Sequence, residues 1–128
     1  MDWGVHREQI AASDELVGPV MRKMVEHLAA CPAVVFSGRG DVLVQTCPAR
    51  ALVGGHIWLG GASCCRHLHE VGLTGHHLRL YRHADLGELE LHRQLLVDVR
   101  DHQILMVFTA PSGSQSEEKL RLLTAATG

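Results

Sequence analysis

The sequence predicts an α/β sandwich: a five-stranded, largely antiparallel sheet with a long second helix packed on one face. Three observations carry that expectation. Two β-branched-rich runs, Ala33–Phe36 and Val42–Val44, flank a Ser37-Gly38-Arg39-Gly40-Asp41 tip, the pattern of a hairpin. A stretch rich in small residues, 49–72, follows the hairpin. Apolar positions then alternate over 77–82 and 88–92, Leu95, Val97 and Val99 continue as a strand, and 103–109 is the most apolar run in the chain. The turns between these runs are short enough to demand antiparallel pairing.

Taken in order, residues 1–13 are weakly patterned and read as an N-terminal arm. A single domain is expected over 14–128. Residues 14–30 read as an amphipathic helix, with Leu16, Val20, Met24 and Leu28 at intervals of four and Val17 and Met21 beside them. Ser13 or Asp14 offers it a cap; Pro19 is disfavoured inside a helix, and the alternative is a regular helix that begins at Gly18-Pro19. Pro32 ends the helix.

In the hairpin, Gly38 and Gly40 are expected to supply the positive-φ positions of the turn. Its runs are apolar without alternation, which predicts strands buried on both faces. Cys47-Pro48 breaks the second strand. Over 49–72 one stripe runs through Ile57, Gly61, Cys64, Leu68 and Val71, and a second through Ala51, Gly55, Trp58, Ala62 and Cys65. Interior glycines each cost a helix about 1 kcal/mol, so Gly54, Gly55, Gly60 and Gly61 imply a backbone that is closely approached, by the sheet or by a second copy. A break at either glycine pair, giving two short helices, is the alternative. At the end of the chain, Ser114 and Glu117 have the spacing of a capping box for a helix with Leu120 and Leu123 inside.

Composition narrows the function. The chain has 128 residues, 46% of them hydrophobic, enough for one core without staples. Its net charge is −2, and the arginines at 79, 82, 93 and 100 are interleaved with acids, so nucleic acid is not an expected partner. Met1–Arg7 lacks the pattern of a secretory leader. No apolar run reaches the about 18–20 residues of a membrane span. A cytoplasmic protein with reduced cysteines and no membrane insertion is expected.

No catalytic constellation stands out, so the chain is expected not to be an enzyme and to carry no cofactor. Arg39-Gly40-Asp41 is explained by the turn, and Ser112-Gly113-Ser114 by helix capping. Cys31 or Cys47 would need an oriented base to act as a nucleophile. Cys64, Cys65, His67, His69, His76, His77 and His83 place seven metal-capable groups within 64–83. Cys65 and His69 would lie one helical turn apart, yet none of the CxxC, HxxxH or HExxH spacings occurs. A metal- or small-molecule-sensing domain built on this cluster is therefore the alternative function.

The order of elements resembles the roadblock/dynein light chain domain family. The resemblance spans roughly 14–124 and is carried by the first helix running into Cys31-Pro32-Ala33-Val34-Val35-Phe36, the Ser37–Asp41 turn, Val42-Leu43-Val44, and the late strand Ile104-Leu105-Met106-Val107-Phe108-Thr109. The turn departs from the family by reading Gly-Asp rather than Asp-Gly, and 76–93 is longer than the corresponding family segment. The resemblance implies a roadblock/profilin-like, non-catalytic module that pairs through its second helix and a sheet edge. Its partners would be a second copy of itself and a small Ras-like GTPase, and it would regulate the GTPase or scaffold a signalling complex. The pairing surface would then use Ile57, Trp58, Gly61, Ala62, Cys65 and Leu68.

Overall fold

The computed structural model describes residues 17–54, 68–75 and 78–127. Among these the chain folds as helix α1 (Pro19–His27), strands β1 (Ala33–Phe36) and β2 (Val42–Gln45), helix α2 (Cys47–Val53), strands β3 (Leu68–Gly75), β4 (Leu78–His83), β5 (Gly87–Asp98) and β6 (Gln103–Thr109), and helix α3 (Gln115–Thr127). The expected α/β architecture is present. The sheet has six strands rather than five, is antiparallel throughout, and runs in the order β2-β1-β6-β5-β4-β3.

Among the described residues the second helix is not the long one expected; it breaks at Gly54, one of the two breaks given as the alternative. α2 is seven residues long and ends at Gly54, whose φ of 85° is open to glycine but disfavoured for other residues. Residues 68–72, assigned to the helix from sequence, lie in β3. The reason is ladder completion: Leu68, His69 and Glu70 pair with His83, Arg82 and Tyr81, which gives β4 its outer partner. The N-terminal arm and residues 55–67 lie outside the described residues.

Strand β1 is buried along its whole length, as its unbroken apolar pattern predicts. Val34 and Phe36 pack with α2, α3 and Leu68, Tyr81, Leu89, Leu91, Met106 and Phe108. Ala33 and Val35 pack with α1, Leu43, Val44, Leu105 and Val107. The sheet therefore separates two cores. Helices cover both faces, and each strand's alternation decides which core a side chain enters.

Helix α1 begins where the proline places it, with Gly18 as its N-cap and Pro19 in its first turn. Of the expected stripe, Val17 and Met21 are buried and Leu28 packs against the same core, joined by Val25, whereas Val20 is 68% exposed and Met24 39%; Leu16 lies outside the described residues. Both 17–21–25 and 20–24 have helical periodicity, and the position of the sheet decides which is buried. In the β1–β2 turn, Gly40 has the positive φ of 92°. Gly38 does not, and is small for a different reason: a Cβ there would lie 3.1 Å from the carbonyl oxygen of His102. Ser37 Oγ accepts from the N–H groups of Arg39 and Asp41, which closes the tip.

Strand β5 runs for twelve residues through both alternating stretches, 88–92 and 95–99, which the sequence reads as continuing; the strand beyond the expected five is β3. Its first part, 87–91, pairs with β4, and its second part, 92–98, pairs with β6. The sheet is stepped at this handover. Helix α3 is fixed over the first part of β5. Its cap is reciprocal: Ser114 Oγ accepts from the Glu117 N–H, while Glu117 Oε1 accepts from the Gly113 N–H. Ser116, buried, accepts from the Glu90 N–H at 2.8 Å. Ser116→Ala leaves that strand amide unmatched and is expected to cost about 1–2 kcal/mol of unfolding free energy, read from urea titration.

Candidate functional site

The step in the sheet opens a groove of about 860 Å³ on the α1 side. Met24, His27 and Leu28 form its helical wall. Its floor and far wall come from Leu73 of β3, Arg79 of β4, His92, Arg93, Gln94 and Leu96 of β5, and Val107 and Thr109 of β6. It forms because α1 is short and lies over β1 and β6, while β5 beyond His92 has left β4 behind. Met24 is only partly buried for the same reason: it stands on the edge of the helix that faces the opening.

The lining is mixed in a useful way. Met24, Leu28, Leu73, Leu96 and Val107 offer apolar surface. Arg79, Arg93, Gln94, Thr109 and two histidines offer donors around it. Arg79 is held in place by Glu70, with Nη1 2.7 Å from Oε2 across the β3–β4 ladder and both side chains partly buried. One guanidinium edge is thereby committed to Glu70. A concave, largely preformed cavity with apolar walls and a few placed polar groups has the properties of a small-molecule site.

Of the site residues singled out from sequence, those that are described do not line the groove. Ile57, Trp58, Gly61, Ala62 and Cys65 lie outside the described residues. Leu68 opens β3 and is buried in the chain's own core against α2 and α3. Of the His/Cys cluster, Cys64, Cys65, His67, His76 and His77 also lie outside the described residues. His69 is exposed on β3. His83 is buried and has a structural role: its Nδ1 accepts from the N–H groups of Asp85 and Leu86, at 3.0 and 3.1 Å, and so shapes the β4–β5 turn. This use of Nδ1 places the ring proton on Nε2. Among the described residues no three metal-capable side chains gather. No described helix is long and apolar enough to cross a membrane.

Sequence reasoning missed the groove. Its residues come from five elements far apart in the chain, and their only local signal was the apolar Val20–Met24 side of α1, which was assigned to the core. No curated protein and no solved structure matches the chain. The roadblock resemblance rested on the order hairpin, helix, strands, helix, an order that does not by itself separate one family from another. The dynein light chain and GTPase-regulator readings rested on it in turn. They are overturned by the family match that was found: residues 65–123, under half of the chain, are similar to the MmyB-like transcription regulator ligand binding domain.

Proposed function

We propose that this chain is a small-molecule-binding sensory domain and that its ligand occupies the groove between α1 and the stepped sheet. One observation carries the reading: every groove residue contributed by the sheet lies within the segment similar to a ligand-binding domain. The ligand has an apolar body, matching Leu73, Leu96 and Val107, and acceptor atoms for the arginine and amide donors. In this reading the domain binds without turnover. A ligand under α1 changes the contacts of a helix that holds the sheet through a single short stripe, and that is how occupancy is passed on.

The test uses anilinonaphthalene sulfonate, an apolar ring system with an anionic group, as a fluorescent probe. Saturable one-to-one binding is expected, weakened about tenfold by Leu73→Asp, which places a charge in the apolar wall, and by Thr109→Trp, which fills space. Binding that does not saturate, or that neither variant changes, overturns the assignment.

A further inference from the structure

A second groove, of about 570 Å³, lies between the start of α1 and the far end of β5, with Val20, Met21, Val97 and Val99 in its apolar lining. Met24 and Leu96 line both this groove and the ligand groove. The order of the lining residues shows how the two join. Along α1 the second groove takes 19–24 and the ligand groove 24–28; along β5 the ligand groove takes 92–96 and the second 96–99. Helix and strand thus run in opposite directions beside one trough, with Met24 and Leu96 at its middle. Residues 92–98 of β5, at about 3.3 Å per residue, make it roughly 20 Å long.

We infer that the second groove is a distal subsite for the same ligand, and that Met24 and Leu96 form the passage that selects for a long, narrow and unbranched apolar part. This rests on the ligand assignment above and extends it. The two ends of the trough differ in charge: Arg79 and Arg93 line the ligand groove, whereas Asp98 and Asp101 stand beside Arg100 in the second. The acceptor-bearing end of a ligand is therefore held in the first groove, and its apolar end points along the trough. Val20, Val97 and Val99 are exposed there, and an apolar chain laid along them removes that surface from water. The passage suits a chain. Met24 is unbranched, with rotatable bonds and a soft thioether, so it swings aside without moving the helix backbone. Leu96, 43% exposed, has open space on its other side. A branched or ring-shaped body stays in the first groove.

Displacement of anilinonaphthalene sulfonate by straight-chain alkyl sulfonates, hexyl to tetradecyl and each below its micellar concentration, tests the subsite. Affinity for the wild-type chain is expected to rise about threefold for each added methylene through the whole series. Val20→Asp and Val99→Asp place a charge in the second groove from its helix side and its strand side. Each is expected to weaken tetradecyl sulfonate about tenfold and to leave hexyl sulfonate and the fluorescent probe unchanged. Both side chains are exposed, so an unchanged urea midpoint is expected for both variants. A rise that stops midway through the series overturns the subsite, as do variants that weaken short and long chains equally or weaken neither. If probe binding remains sensitive to Leu73→Asp in that case, the ligand assignment stands and the subsite alone falls; absent probe binding overturns both. A dimer seen by sedimentation velocity and dissolved by Val20→Asp would give this surface to a second copy and overturn the subsite.

Discussion

Thr46→Val is expected to destabilise the fold by about 3 kcal/mol, because a single hydroxyl joins three segments and valine removes it without changing the volume. Thr46 is buried at the end of β2. Its Oγ1 donates to the carbonyl of Cys31 at 2.6 Å and accepts from the N–H groups of Ala33 and Ala49, at 3.0 and 3.2 Å. The first two bonds fix the α1–β1 connection, and the third caps α2. The isostere leaves two buried donors and one carbonyl unmatched. A lost cap alone costs about 1 kcal/mol, and each additional buried unmatched group about 1–3 kcal/mol. Thr46→Ser keeps the hydroxyl and is expected to stay within about 1 kcal/mol of wild type. Urea titration at unchanged m-value measures both. A loss below about 1 kcal/mol for the valine variant would show that water replaces the hydroxyl.

Phe36→Ala is expected to cost about 3–5 kcal/mol, the range for truncating a fully buried aromatic ring. Phe36 is completely enclosed in the core between the sheet and the α2–α3 pair. It sits in β1, which is hydrogen-bonded on both sides, to β2 and to β6, so the backbone has little freedom to collapse into the void. Leu122→Ala provides the contrast. Leu122 is 59% exposed on α3, one position from the inward-facing Leu123, and its truncation is expected to change stability by less than about 0.5 kcal/mol. Comparable losses for the two variants would contradict the separation of inner and outer faces on which the description of α3 depends.

The sequence alone determined the features that depend on neighbours in the chain. The hairpin at 33–45, the start of α1 at Gly18-Pro19, the cap of α3 and the whole of β6 follow from local chemistry. Proline fixes φ, a hydroxyl three residues before a carboxylate caps a helix, and an unbroken apolar run is most stable as an interior strand. The tertiary structure decided what depends on distant partners. Residues 68–72 carry helical periodicity and become strand because β4 needs a partner on that side. On helix α1 the sheet buries 17–21–25 and leaves the equally apolar Val20 and Met24 outward. Strand β5 is continuous because β6 receives it where β4 ends. The groove is a consequence of those last two choices: a helix that turns Met24 outward, over a sheet that steps at His92. Periodicity along a chain specifies that a face exists. Which neighbour covers it, and where a gap is left between neighbours, is set by packing across the whole molecule.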